Sequence, residues 1–253
     1  MSLDPHFDDA HTAGEAQRAA RQGIGVALAT SAYGISFGAL AVASGLDIWQ
    51  TCVLSLLMFT GGSQFAFAGV VGAGGVAAAP AAIASASLLG VRNVAYGIRM
   101  SPVIGPGFLR RTAAAHFTID ESTAVSLAQK SPHARTVGFW VTGVGIYIGW
   151  NLSTLAGALL GDVLGDPRAY GLDAAAAAAF LALLWPRLRH RQPIAVGIAA
   201  AVVATMLTPV LMPGLPVIIA AVVALIVGWA NWLGSPDPAP VEPEDVAERG
   251  GLP

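Results

Sequence analysis

Charged residues are scarce in this 253-residue sequence, at 11% of the total, and several long stretches contain none. Among them are those at about 23–46, 136–161 and 193–233. A helix needs roughly 20 apolar residues to cross the hydrocarbon of a bilayer, and each stretch reaches that length. The pattern excludes a water-soluble core and indicates an integral membrane protein.

Cysteine and excess positive charge are also lacking. Cys52 is the only cysteine, which excludes an internal disulfide and a cysteine-based metal cluster. The net charge of −2 provides no electrostatic basis for binding nucleic acid. The sequence contains no glycine-rich nucleotide-binding loop, so this chain does not use ATP by itself. We expect neither a metal nor an organic cofactor.

Apolar residues make up 55% of the chain, and the mean hydropathy is +0.66. At about 20 residues per crossing, this length allows roughly six to eight membrane segments. We therefore predict an all-α, polytopic helical membrane bundle that includes broken or re-entrant helices. Polar residues concentrate at the two ends. They predict a cytoplasmic N-terminal segment at 1–22, a membrane domain at 23–234 and a disordered, acidic and Pro-rich cytoplasmic tail at 235–253.

Basic residues set the expected orientation, because Lys and Arg collect in cytoplasmic loops. Arg18 precedes the first apolar stretch, so we expect the N-terminus inside. The stretch at 49–75 is interrupted by two glycines at 61–62. If it crossed once, Arg99 and the basic residues after it would lie outside. The charge rule therefore favours a re-entrant element that enters and returns at the break, where freed backbone must be buried in protein or line a wet cavity.

The segment at 112–130 raises the same question, because Arg111 and Lys130 flank it and both flanks look cytoplasmic. We expect a re-entrant or interface-buried helix here. Downstream, regular alternation places the C-terminus inside and predicts crossings at 138–161, 172–185, 194–212 and 215–233.

Glycines spaced four residues apart predict close helix contacts, because small residues let helix backbones approach in lipid. They are Gly34 and Gly38, Gly145 and Gly149, and Gly157, Gly161 and Gly165. We interpret this spacing as a packing device.

The break in the second apolar stretch is the first candidate site. It consists of Thr60, Gly61, Gly62, Ser63 and Gln64. Unwound backbone in a membrane offers amides and carbonyls, and the start of the next half-helix has positive dipole character. An amino acid needs donors for its carboxylate and acceptors for its ammonium, and the Ser and Gln side chains add hydrogen bonds. The alternative is a tightly packed kink without a ligand.

Arg92 and Asn93, with Tyr96 one turn later, form the second candidate. A charge at mid-bilayer costs about 2.5–3.5 kcal/mol on insertion scales, so such groups usually face a cavity or a partner. Arg92 and Tyr96 share one helix face. Arg92 either snorkels to the cytoplasmic interface, fixes an anion, or pairs with Asp120 or Glu121.

His116, Asp120 and Glu121 form the third candidate. His116 and Asp120 are four residues apart, which predicts that they face the same way on one helix. Burial raises the pKa of a carboxylate toward neutrality, and a group that loads and releases protons requires such a pKa. A salt bridge to Arg92 would instead hold the carboxylate charged. The alternative is a solvated cytoplasmic turn.

Six short motifs follow one another along the chain. They are Gly-Ile-Ser-Phe-Gly at 34–38, Phe-Thr-Gly-Gly-Ser-Gln-Phe at 59–65, Arg-Asn-Val-Ala-Tyr-Gly at 92–97, Thr-Ile-Asp-Glu-Ser at 118–122, Tyr-Gly-Leu-Asp at 170–173 and Pro-Gly-Leu-Pro at 213–216. In this order they resemble the AzlC (YgaZ-type) family, the large subunit of bacterial branched-chain amino-acid exporters, over about 23–234. One position departs from the family pattern, because Asn93 stands where a His usually follows the Arg, and an amide cannot relay a proton.

The resemblance implies a secondary transporter of the cytoplasmic (inner) membrane, driven by the proton gradient. It would export leucine, isoleucine, valine and possibly methionine, together with a small hydrophobic AzlD (YgaH)-type subunit. A passive channel or a structural membrane subunit is the alternative. An intramembrane serine hydrolase built on Ser63 and His116 is disfavoured, because Phe65 stands where a G-x-S-x-G elbow has glycine.

Overall fold

The computed structural model describes residues 5–164, 181, 185, 188, 190–211 and 215–230, and all regular elements in these ranges are helical. The helices are α1 (Pro5–Ala43), α2 (Ile48–Leu57), α3 (Gly62–Gly74), α4 (Ala79–Gly90), α5 (Arg92–Ile104), α6 (Phe108–Phe117), α7 (Asp120–Leu127), α8 (Pro132–Leu164), α9 (Arg191–Leu207) and α10 (Leu215–Ala230), with a 3-10 turn at Val76–Ala78. The predicted helical membrane bundle is confirmed. The chain forms two compact units, one holding α1–α8 and the other α9 and α10.

Helices α1 and α8 form a parallel pair at the centre of the first unit. Gly23 near the middle of α1 lies opposite Thr142, whereas Gly38 near its end lies opposite Ala158. At Gly34, Gly38, Gly149 and Gly157 an added Cβ would come within about 3 Å of atoms on the facing helix. The glycine spacing therefore permits this close contact, as the sequence predicts. Gly165 lies outside the described residues.

Helices α2 and α3 form a hairpin that returns to the end of the unit from which it starts. α2 begins just after α1 ends, and its Ser55 hydroxyl donates to Thr154 of α8 at 3.3 Å. The chain then turns, and α3 runs back until Gly72 lies against Ser44 at the end of α1. With 10 and 13 residues, neither helix reaches the roughly 20 needed to cross alone. We call this element hairpin A; it has the re-entrant form that the charge pattern favours.

Helices α6 and α7 form a second hairpin, hairpin B, which enters from the opposite end. At its turn, Phe117 lies against Gly143 in the interior of α8. At its far end, Gln129 hydrogen-bonds Gln22 at 2.9 Å, beside the beginning of α8. The predicted re-entrant helix at 112–130 is thus two short helices joined by a break at Thr118 and Ile119.

Helices α4 and α5 connect the two ends of the unit. Val91 between them keeps helical backbone angles (φ −54°, ψ −33°), so Ala79–Ile104 forms one apolar stretch of 26 residues. It starts beside the end of hairpin A and finishes where Thr136 at the start of α8 donates to Val103 at 3.4 Å. Together with Thr12–Ala43 and Pro132–Val163, it is one of three helices in the described part that are long and apolar enough to cross a membrane.

Charge separates the two ends of this unit. The basic residues of the loops and helix ends lie at the end where hairpin B enters; they are Arg18, Arg21, Arg110, Arg111, Lys130 and Arg135. Asp47 and Asp162 lie at the end where hairpin A enters. Between the two ends, large apolar side chains such as Leu28, Leu152 and Ile98 are exposed, which suits a lipid-facing surface.

The second unit packs α9 against α10, with the Gln192 side chain donating to the Val227 carbonyl at 2.7 Å. These helices correspond to the predicted crossings at 194–212 and 215–233. The predicted crossing at 172–185 lies outside the described residues except for positions 181 and 185, and so do the motif at 170–173, the turn at 213–214 and the tail at 235–253. Helix α1 continues through the predicted boundary at 22–23, and the domain limits stay predictions.

Candidate functional site

The turns of the two hairpins meet inside the first unit. The ring of Phe59 in hairpin A lies 6.0 Å from the ring of His116 in hairpin B, and 5.1 Å from Tyr147 of α8. Ile119 of hairpin B belongs to the same buried apolar cluster as Phe59 and Phe65. Two backbone interruptions, one from each end, are therefore brought together at mid-depth.

The turn of hairpin A depends on glycine at one position. Gly61 has φ +48° and ψ −84°, which L-residues with a side chain rarely adopt. The turn aims the first residues of α3 at the meeting point. Among the described residues, the N–H groups of Gly62 and Ser63 make no hydrogen bond, as is usual in a first helical turn. The Ser63 hydroxyl is 1% exposed and also lacks a described partner, so this turn has polar groups available for a ligand.

Gln64 holds the turn in place. Its side-chain oxygen accepts from Trp150 Nε1 at 2.9 Å, and its nitrogen donates to the Ser55 carbonyl at 3.4 Å. The side chain is fully buried. Because both ends of the amide are occupied, Gln64 stabilises the hairpin against α8, a role that the sequence did not suggest.

Arg92 joins the two hairpins. Its Nη2 lies 3.4 Å from Asp120 Oδ1 at the start of α7, and also 3.4 Å from where a Cβ on Gly62 would stand. Of the alternatives that the sequence left open, the structure has the pair with Asp120. Arg92 also stands in the middle of the 26-residue crossing helix, too deep to snorkel easily to an end.

The predicted common helix face of His116 and Asp120 is wrong. Thr118 and Ile119 are extended between α6 and α7. The Thr118 hydroxyl donates to the Ala114 carbonyl at 2.7 Å and so ends α6. Ser122 accepts from the Ile119 N–H at 3.1 Å and begins α7. These local side-chain bonds compete with the helix, and the two residues sit on separate helices.

Glu121 is the second carboxylate of hairpin B. It stands on α7, whose eight residues do not span a membrane. Burial, reinforced by the neighbouring charge of Asp120, raises the pKa of Glu121 to about 7, although Arg92 pulls it the other way. A carboxyl group with this pKa exchanges its proton near neutral pH.

A cavity of about 780 Å³ lies against hairpin A and reaches the meeting point. Thr60, Asn93 and His116, which the sequence assigned to three separate clusters, all line it. Its remaining lining is mainly apolar: Leu46, Val53, Leu54, Leu57, Met58, Phe59, Phe67 and Ala115, with Gln50 at one side. Tyr96 lies one turn beyond Arg92, is partly buried and does not line this cavity.

A serine–histidine dyad is not formed. The Ser63 hydroxyl has no hydrogen-bond partner in the described part of the chain, and it lies 3.8 Å from where a Cβ on Gly90 would stand. His116 instead contacts Phe59 and Tyr147. The geometry gives no support to hydrolytic chemistry at this serine.

The turns of hairpins A and B share a short sequence repeat, from which their correspondence could have been predicted. Hairpin A has Phe-Thr-Gly-Gly at 59–62, and hairpin B has Phe-Thr-Ile-Asp at 117–120. Each Phe-Thr lies at the break between one half-helix and the next. Opposed broken helices that meet at the midplane are the usual construction of sites in secondary transporters with inverted repeats.

Comparison with known proteins identifies a family for this chain. The model of the family described as AzlC protein matches residues 25–164, which is more than half of the chain and includes both hairpins. No curated protein and no solved structure matches the sequence. The range matched contains every residue of the candidate site, and the chain belongs to the AzlC protein family.

Proposed function

We propose that the protein is a secondary transporter that exports branched-chain amino acids across the cytoplasmic membrane. The observation that carries the proposal is the meeting of two opposed hairpin turns around Arg92 inside a membrane bundle. Half-helix starts and unwound backbone at mid-depth provide partners for both charges of a zwitterion. AzlC family membership agrees with a role in membrane transport.

The cavity supports an aliphatic side chain on the substrate. Its lining is mainly leucine, valine, methionine and phenylalanine, with only a few polar groups such as Thr60, Asn93 and His116. Burying each CH₂ of an apolar side chain contributes about 0.8 kcal/mol, so leucine, isoleucine, valine and methionine should bind better than alanine. The carboxylate is assigned to the start of α3 and to Arg92, and Tyr96 completes the substrate residues proposed from the sequence.

Proton coupling is assigned to hairpin B. Asp120 and Glu121 begin α7 and His116 lies in the last turn of α6, so three titratable groups stand at the meeting point. Asn93 does not titrate, and coupling through these three groups does not require a histidine there. The basic end of the first unit is assigned to the cytoplasm by the charge rule, which places the N-terminus inside, and the tail is assigned to the same side.

A small hydrophobic membrane subunit of the AzlD (YgaH) type is the proposed partner. Exposed apolar side chains on the crossing helices, among them Ile98 and Val94 on α5, can be covered by either lipid or such a subunit.

Reconstitution with a proton gradient tests the proposal. Proteoliposomes holding the chain, with and without its small subunit, are loaded with radiolabelled leucine on one side. A coupled exporter moves leucine against its concentration gradient when a pH gradient is imposed, and an uncoupler abolishes the accumulation. Equilibration without accumulation would favour a passive channel, and no leucine movement in either preparation would refute leucine transport.

A further inference from the structure

The charges at the meeting point do not balance. Arg92 supplies one positive charge, and it is paired with Asp120. Glu121 follows Asp120 at the start of α7, partly buried, and among the described residues no Lys, Arg or His lies within 4 Å of its carboxylate. Because an uncompensated buried carboxylate is costly, Glu121 requires either a proton or a cationic group.

The two hairpin turns differ in the charge that they bring. Hairpin B places Asp120 and Glu121 at the start of α7, so its half-helix dipole already faces carboxylates. Hairpin A has Gly62 and Ser63 at the equivalent positions and supplies no anion of its own. Gly62, whose N–H makes no hydrogen bond in the described part of the chain, stands beside the same Arg92, and the next residue carries the buried Ser63 hydroxyl. One turn therefore suits an incoming carboxylate, and the other suits an incoming cation.

We propose that the substrate ammonium and a proton compete for Glu121, so that each amino acid bound releases the proton that Glu121 holds. This inference rests on the proposed function and names the group that performs the exchange. The substrate brings its ammonium to the Glu121 carboxylate and its own carboxylate to the start of α3. The proton leaves to water on the side where the substrate enters, and Asp120 stays paired with Arg92 throughout.

Mutually exclusive occupancy is what exchange transport requires. When Glu121 holds a proton, it cannot bind an ammonium, and when it binds an ammonium, it cannot hold a proton. An inward proton gradient then drives the amino acid outward. Burial and Asp120 place the pKa of Glu121 at about 7, so the proton can be exchanged at physiological pH. Asp120 and Arg92 are the charged groups that act on Glu121 in the described structure, and His116 of α6 and Tyr147 of α8 are titratable groups near the turns.

The test measures binding and proton release on the same purified preparation, the chain with its small subunit in detergent. Calorimetry gives the Kd for leucine between about pH 5.5 and 8, and a pH indicator in weak buffer gives the protons released. As the pH rises toward the pKa of Glu121, we expect the Kd for leucine to fall by up to about tenfold per pH unit. Above that pKa the Kd should level off. Release should approach one proton per leucine at the acidic end.

A ligand without an ammonium tests the competition in the unmodified protein. 4-Methylpentanoate, which is leucine without its amino group, should bind more weakly and release no proton. Glu121→Gln should bind leucine with a Kd that no longer depends on pH. Asp162→Asn, which neutralises an exposed acid at the other end of the unit, should behave as wild type.

The results that would contradict the proposed function differ from those that would contradict only the exchange at Glu121. No leucine binding at any pH would refute the proposed substrate and this inference together. Leucine binding without proton release, or equal proton release with 4-methylpentanoate, would overturn the exchange at Glu121 and leave the transport proposal standing. Retention of the pH dependence in Glu121→Gln would also overturn it.

Discussion

Replacing Gly38 by alanine tests the central helix pair, on which both hairpins pack. A Cβ at this position would overlap the carbonyl oxygen of Thr154 and lie 2.7 Å from the backbone nitrogen of Ala158. These are backbone atoms of α8, which cannot rotate away as a side chain can. The helices must separate instead, and their contact surface must repack.

Gly25→Ala is a matched control on the same helix, because nothing lies within 4 Å of a Cβ there. Both substitutions gain the same helix propensity, about 1 kcal/mol at most, so their difference isolates the overlap. Overpacking costs about 1–3 kcal/mol, and an overlap with rigid backbone belongs at the upper end of this range, so we expect Gly38→Ala to be less stable than Gly25→Ala by about 3 kcal/mol.

Unfolding in mixed micelles with increasing SDS, followed by tryptophan fluorescence, measures this difference. Trp150 lies on α8 opposite Gly34 and reports on the interface directly. Transport by Gly25→Ala should match wild type. Equal unfolding midpoints for the two variants would refute the close contact of α1 and α8 and, with it, the positions assigned to the hairpins.

Three further predictions address the hairpins. Arg92→Gln should lower the initial efflux rate at least about tenfold, because it leaves Asp120 without its cation. Arg99→Gln, two turns along α5, should transport normally, and equal rates for the two variants would exclude a role for the Arg92 pair. Gly61→Ala forces a residue with a side chain into a φ of +48°, at a cost of roughly 1–3 kcal/mol. Transport should therefore be impaired in variant protein that still reaches the membrane, and wild-type transport by that protein would contradict the turn geometry. An epitope inserted after Gly75 should be accessible from outside intact cells, whereas one inserted after Gly107 should be accessible only after permeabilisation. Labelling of both epitopes from the same side would contradict the entry of hairpins A and B from opposite sides of the membrane.

Much of the site was predictable from residue types. Two glycines inside an apolar stretch break a helix, whatever the surroundings, and the structure has the break at Gly61. An arginine in a membrane helix needs a partner, and the partners predicted for Arg92 included Asp120. The glycines spaced by four predicted the close approach of α1 and α8, because only small residues permit it.

The failures came from bonds that a helical pattern does not show. His116 and Asp120 have helical spacing, but the Thr118 and Ser122 hydroxyls bond the backbone and separate α6 from α7. Gln64 stays a predicted substrate ligand, but its hydrogen bond to Trp150, which lies 86 residues away along the chain, could not be predicted from the local pattern. The repeated Phe-Thr at the two turns was present in the sequence, but its meaning depended on knowing that both turns end a hairpin.

The sequence by itself determined that this chain lies in a membrane, that the stretch at 49–75 breaks at its two glycines and which few polar groups must be sheltered. These properties follow from local transfer and backbone energies, which residue type and spacing determine. Only the tertiary structure decided that the two breaks face each other, that Arg92 pairs with Asp120, and that Glu121 has no cation within ion-pair distance in the described part of the chain. Those facts depend on which distant segments the α1–α8 pair holds together, and the distance between two charges cannot be read from their separation along the chain.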